Sequence, residues 1–145
     1  MINFDSLSLK KWVDENSEFL TNARIQKIQQ PTRRDFVLSI RSKGETRKLY
    51  ININPQYYHV CFMDKANEAK RLIEIPQKPP MFCMLLRKYL ENSVIARVNQ
   101  PQYERILEFY IETYNELSEK IYLCLAIELM GKYSNVILYN YDTNM

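Results

Sequence analysis

Between residues 24 and 48 the chain sets eight cations (Arg24, Lys27, Arg33, Arg34, Arg41, Lys43, Arg47 and Lys48) against only Asp35 and Glu45. Guanidinium and ammonium groups at this density are suited to phosphate, and Lys27, Arg33, Arg34 and Arg41 are the candidate phosphate contacts within it. Arg87 and Lys88, a second adjacent pair, extend the same reading. Residues 101–130 reverse the balance, with six glutamates against Arg105 and Lys120. The formal net charge of +3 therefore averages a basic end and an acidic one.

Most reaction chemistries lack the residues they need. His59 is the single histidine in 145 residues, so neither a Ser/His/Asp hydrolase nor a histidine-rich metal site can be assembled beyond one ring. Gly131-Lys132-Tyr133-Ser134 resembles the end of a phosphate-binding loop, but the upstream glycine is missing and a tyrosine separates lysine from serine. Glu108 and Glu112 could suggest paired carboxylates, yet they alternate on the outer side of a strand pattern and are expected simply to be solvated. Cys61, Cys83 and Cys124 are odd in number and set in apolar surroundings, which reads as reduced core thiols. The expectation is a binding protein with no cofactor, no metal and no catalytic constellation.

The elements that carry these groups follow from hydrophobic spacing. Pro80 sits where a first helical turn tolerates proline, and Phe82, Leu85, Leu86 and Tyr89 recur at helical spacing after it, with Cys83 and Leu90 widening the stripe. That predicts a helix showing Met84, Arg87, Lys88 and Glu91 on its other side. An earlier helix, capped at Asp5, Ser6 or Ser8, has the stripe Leu9, Trp12, Val13, Phe19 and Leu20. From Ala23 the period becomes 2. Phe36, Leu38 and Ile40, then Leu49, Ile51 and Ile53, alternate with polar neighbours around a Ser42-Lys43-Gly44-Glu45 turn, giving a three-stranded meander with 24–30. A short strand at 59–63 and a surface loop through 64–78 follow. Strands at 94–100, 107–112, 121–129 and 136–139 complete the pattern, with a turn at Gly131. The fold class is α+β: a mostly antiparallel sheet or sandwich of about seven strands with two helices, in one domain spanning 1–145. No apolar run approaches the roughly 18 residues of a membrane span and no signal segment opens the chain, so a cytoplasmic location and no membrane partner are expected.

Three segments together resemble one family: Pro-Pro-Met-Phe-Cys-Met-Leu-Leu-Arg-Lys-Tyr-Leu at 79–90, Glu-Leu-Met-Gly-Lys-Tyr-Ser-Asn-Val-Ile-Leu at 128–138, and the opening Phe4-Asp5-Ser6-Leu7 with its helix. They are similar to the N-terminal domain of the NFACT proteins, a family of fibronectin-binding protein A-like and ribosome-associated quality control factors. The resemblance implies a fold similar to the N-terminal domain of formamidopyrimidine-DNA glycosylases. It also implies a longer multidomain protein that binds the large ribosomal subunit carrying a stalled peptidyl-tRNA and recruits tRNA(Ala) for template-free alanine tailing.

By the same resemblance Glu104-Arg105 matches an Asp-Arg pair tied to tRNA engagement, and Glu128-Leu129-Met130 matches a second tRNA-linked patch. Lys132 stands where arginine is common in the family. The glycosylase chemistry is not expected, because Ile2-Asn3 occupy the positions of the N-terminal proline nucleophile and its acidic neighbour. The partners implied are the large ribosomal subunit and tRNA. The alternative reading, from the family's other name, is a fibronectin-binding adhesion or protein-interaction domain.

Overall fold

The computed structural model describes residues 5–63, 80–102 and 104–141. Phe4, Ile2-Asn3, Pro79 and the whole 64–78 loop lie outside them. Among the described residues, helix α1 (Ser6–Leu20) leads into strands β1 (Arg24–Thr32), β2 (Asp35–Ser42), β3 (Glu45–Asn52) and β4 (His59–Met63). Helix α2 (Met81–Leu90) leads into β5 (Val94–Asn99), β6 (Ile106–Tyr114), β7 (Lys120–Glu128) and β8 (Asn135–Asn140). The strands form one antiparallel eight-stranded sheet in the order β4-β3-β2-β1-β5-β6-β7-β8.

Local chemistry accounts for the boundaries. Asp5 caps α1 by accepting the Ser8 N–H at 2.8 Å, and Pro80 precedes the first residue of α2. Lys43 (φ 52) and Gly44 (φ 77) form the two-residue β2–β3 turn, whose left-handed backbone matches strand twist. Gly131 (φ 61) opens the short 3-10 turn Gly131–Tyr133 between β7 and β8.

The strand order is a palindrome about the β1/β5 seam, and the chain is built as two copies of one unit. Residues 20–31 (LTNARIQKIQQP) and 90–101 (LENSVIARVNQP) coincide at Leu20/Leu90, Asn22/Asn92, Ile25/Ile95, Gln30/Gln100 and Pro31/Pro101. Asn22 and Asn92 both take φ 67, and each is followed by a buried small residue, Ala23 or Ser93, whose N–H returns to the last helical carbonyl at 3.1 Å. Both first strands shift register at the same place, between Ile25 and Lys27 and between Ile95 and Arg97. The seam's single registered pair, Arg24 with Val94, joins equivalent positions.

The inward residues of both halves share one core with the helices. Leu9, Leu20, Ile25, Leu49, Leu86, Leu90, Phe109 and Ile127 are among its members, each at most 1% exposed. A fully buried side chain of this size contributes about 1.5–3 kcal/mol. β6 alternates as expected, and the inward set of β2, β3 and β7 is buried, but Val37, Tyr50, Cys124 and Ala126 on the other face of those strands are buried as well. Trp12 stacks on Phe62 with ring centroids 5.7 Å apart, a packing role.

Two helix details depart from expectation. On α2 the buried line is Cys83, Leu86 and Leu90, while Leu85 is 42% exposed, so the stripe is centred one residue later than predicted. Arg87 is not presented outward as expected. Its Nε donates to the Ile28 carbonyl at 2.8 Å, with the Glu91 carboxylate 3.9 Å away. Beyond Ile25, which still bonds Ser93 and Asn92, the seam opens, and Arg87 supplies the donor that a neighbouring strand would otherwise give.

Candidate nucleic-acid interface

At the start of β6 the two family-matching segments become neighbours. Ile106 pairs with Glu128, and the Leu129 N–H donates to the Arg105 carbonyl at 2.8 Å. Glu104 is exposed in the approach to β6; its N–H bonds the Pro101 carbonyl at 2.8 Å, and its own carbonyl accepts from Gln100 Nε2 at 2.7 Å. Arg105 is half-buried, and its Nη1 donates to the Tyr58 hydroxyl at 3.2 Å, reaching from the second half of the sheet to the β3–β4 connection of the first. One guanidinium edge is thereby fixed. The remaining donors of that planar group can meet a phosphate or stack on a base.

Glu128 and Met130 are half-buried and point opposite to Ile127 and Leu129. The Met130 N–H is held by Ser134 Oγ at 3.0 Å, which fixes the chain as it turns into Gly131. Leu129 does not fit the direct-contact role that the resemblance implied. It is 0% exposed, a member of the core, and its side chain anchors the segment from below.

The predicted cations divide into three groups. Arg33 and Arg34 are exposed in the β1–β2 turn, which by register lies at the opposite end of the sheet from the start of β6. The Arg105–Tyr58 bond nevertheless brings the two corners together, because the Arg34 carbonyl accepts the Ile53 N–H at 2.7 Å, five residues before Tyr58. Lys27 and Arg41 are exposed on the outer face of the first half, in register with Ser39 and Arg24 respectively. Arg41 also donates to Thr46 Oγ1 at 3.0 Å. Arg47, by contrast, lies over the Phe19 ring at 4.1 Å and pairs with Glu45 at 3.0 Å.

Arg87 and Lys88 form the third group, at the far end. Lys88 pairs with Glu116 in the β6–β7 turn at 3.3 Å, and the hydrogen bond its ammonium donates to that carboxylate is the main reason it titrates above the ordinary value. The nine residues of β6 separate this turn from Arg105, roughly 30 Å at strand spacing. A single cationic face uniting Arg87, Lys88 and Arg105 is therefore corrected to a strand-end surface of Arg33, Arg34 and Arg105, with Lys27 and Arg41 on the adjoining face.

Two further groups differ from or agree with the residue-level reading. Glu108 is not merely solvated: its carboxylate accepts from Asn99 Nδ2 at 2.8 Å and from the Tyr110 hydroxyl at 3.0 Å, which ties β5 to β6. His59 is half-buried, with Nδ1 2.6 Å from the Tyr57 carbonyl, a local structural contact. Sequence reasoning missed Tyr58, the hydroxyl that orients Arg105, because nothing in 55–58 marks it out.

Fold and surface together define an α+β domain, a duplicated antiparallel sheet whose two halves meet at an arginine-bearing corner through the Arg105–Tyr58 bond. The chain belongs to the NFACT family: the family described as NFACT N-terminal and middle domains matches residues 5–145. It is 36% identical over 137 residues to the Rqc2 homolog RqcH of Bacillus subtilis (strain 168), covering 94% of this chain and 23% of that protein. Among solved structures, the N-terminal domain of the fibronectin-binding protein PavA from Streptococcus pneumoniae superposes with a TM-score of 0.88 at 34% identity, over 97% of this chain and 51% of that one. The fibrinogen binding protein from Staphylococcus aureus gives 0.81 at 31% identity, over 94% and 46%. The chain thus spans about a quarter of that curated relative and half of those solved chains.

Proposed function

We propose that this domain is an RNA-docking module of a ribosome quality control factor. In this reading the strand-end surface of Glu104, Arg105, Glu128 and Met130 engages tRNA, and Arg33, Arg34, Lys27 and Arg41 contact phosphates of tRNA or of the large ribosomal subunit. The domain works in the cytoplasm and carries out no catalytic step itself. Its contribution is to help hold tRNA(Ala) on a large subunit with a stalled peptidyl-tRNA, so that alanine is added to the nascent chain without a template.

The observation that carries the reading is the backbone bond between Leu129 and Arg105, which joins two segments 24 residues apart in the chain into one surface. The Rqc2-homolog names of relatives over almost the whole chain support the same assignment. The test is co-sedimentation with purified large subunits and a tRNA mobility shift, comparing the unaltered chain with the double change Glu104→Ala, Arg105→Ala. The reading expects the tRNA shift to weaken at least tenfold, in line with the loss of a charge-assisted hydrogen bond of about 1.5–3 kcal/mol. An unchanged shift would overturn it.

The solved relatives named for fibronectin and fibrinogen binding support a second reading, a protein-adhesion surface. Immobilised fibronectin in a binding assay, with tRNA as competitor, separates the two. Saturable fibronectin binding that tRNA leaves untouched would favour adhesion.

A further inference from the structure

The duplication makes each half a reference for the other, and one pair of equivalent residues behaves differently. Gln100 is fully engaged as a donor: its Nε2 bonds the Ser6 carbonyl at 2.9 Å and the Glu104 carbonyl at 2.7 Å, tying the start of α1 to the approach to Arg105. Its counterpart Gln30 is only 6% exposed, yet its Oε1 is buried with no hydrogen-bond partner among the described residues. A buried acceptor left unpaired costs about 1–3 kcal/mol, and such groups are uncommon away from functional sites.

Gln30 lines a cavity of about 340 Å3 between the β1–β2 turn, the start of α2 and the start of β8. Phe36, Ile53 and Phe82 make its apolar wall, and the two phenyl rings meet edge to face with centroids 5.9 Å apart. Arg33 and Asn135 supply the polar groups at its edge. The volume falls at the lower end of the roughly 300–1,000 Å3 typical of small-ligand sites. By strand register Tyr58, which closes over Arg105, has Ser134 as its equivalent, so the two halves differ at this corner.

The geometry points to a nucleotide-binding pocket, in which a base of an RNA strand lies against Phe82 and Ile53, the Gln30 amide turns its Oε1 from the wall into the cavity to accept an N–H of that base, and the attached phosphate meets the Arg33 guanidinium. A flat ring suits an aromatic and aliphatic wall, an amino or imino donor suits the vacant amide oxygen, and an exposed arginine suits phosphate. The chain's net charge of +3 favours an anionic ligand over a neutral ring. The inference rests on the RNA-docking reading and adds to it a second contact, separate from Arg105, where one nucleotide leaves its stack. The shared chemistry is a base joined to a phosphate, from either an RNA strand or a free mononucleotide, and the assignment here is to the strand.

The test is amide NMR of the isotopically labelled chain titrated with 5′-AMP, ribose 5-phosphate and hexaadenylate. The Gln30 side-chain amide and the Ile53 and Phe82 backbone amides should shift saturably with AMP and hexaadenylate but not with ribose 5-phosphate. Hexaadenylate should bind at least tenfold more tightly than AMP. In a parallel anisotropy assay on labelled hexaadenylate, Gln30→Leu should weaken binding about fivefold, the equivalent of one neutral hydrogen bond, and Arg33→Ala about tenfold. Absence of shifts at Gln30, or equal shifts with ribose 5-phosphate, overturns the pocket. Equal affinity for AMP and hexaadenylate overturns the RNA-strand assignment in favour of a free nucleotide. Shifts at Gln30 alongside a tRNA affinity indifferent to Arg105→Ala would instead sink the strand-end surface and leave the pocket standing.

Discussion

Leu129 donates its N–H to the Arg105 carbonyl at 2.8 Å, and in the other half of the domain Ile53 does the same for Arg34 at 2.7 Å. In each copy an aliphatic residue just past a strand, buried Leu129 or half-buried Ile53, holds the backbone of an arginine. Arg105 has Tyr58 across the sheet to orient it, whereas Arg34 is exposed in its turn. Duplication has thus produced two arginine-bearing corners with different surroundings.

The Tyr58 contact gives a sharp expectation. Tyr58→Phe removes the acceptor for Arg105 but keeps the ring, so it should lower tRNA affinity about two- to fivefold, less than Arg105→Ala does. Fluorescence anisotropy with labelled tRNA on both variants, with thermal melts to confirm folding, checks the order. Equal losses in the two variants would mean that the tyrosine does more than orient.

Leu129 and Met130 are adjacent in sequence and should behave oppositely. Leu129→Ala opens a cavity in a fully packed site and should cost about 2–5 kcal/mol of stability by urea unfolding. Met130→Ala, on the half-buried outer side, should cost under about 1 kcal/mol yet reduce tRNA binding.

For Arg87, stability and binding should separate. Arg87→Met leaves the Ile28 carbonyl only the weak Cys83 thiol donor at 3.9 Å and should destabilise by about 1–3 kcal/mol, while the salt dependence of tRNA binding stays as it was. Lys88→Ala, at the far end, should change neither. A fall in the salt slope for either variant would restore them to the binding face.

The α+β class, the inward residues of β2, β3, β6 and β7, and the turn at Lys43-Gly44 were legible because period-2 burial and positive-φ turns leave direct marks on a sequence. Residues such as Arg87 were not. Its helical position does lie away from the Phe82–Leu86 line, but the unpaired Ile28 carbonyl that draws it inward exists only because the β1/β5 seam opens after one registered pair. The division of the cations between two ends was hidden for a similar reason, since it depends on which strand end each turn occupies. The duplication, by contrast, was visible in the matched runs at 20–31 and 90–101, and a comparison of the chain with itself would have found it. The Glu-for-Asp change at 104 and the core role of Leu129 show how a family motif identifies a segment without saying which of its side chains reaches solvent.

The thiols make a pH-dependent prediction. Burial is the leading cause that pushes both Cys83 and Cys124 above the ordinary value of 9.0, so each holds its proton more tightly folded than unfolded. Their contribution is therefore complete below about pH 9 and is lost as pH rises toward the folded values, and stability should decline on that alkaline side. Iodoacetamide at pH 8 should label half-buried Cys61 well before either of the others, as read by peptide mass spectrometry.

The most direct measurement is the salt dependence of tRNA affinity for the unaltered chain and for the pair Arg34→Ala, Arg105→Ala. If the two arginine-bearing corners hold the polynucleotide, the log–log slope should be roughly 0.7 to 0.9 for each phosphate contacted and should flatten by about 1.5 in the paired variant. Affinity indifferent to salt, or a slope that survives both substitutions unchanged, would contradict the account.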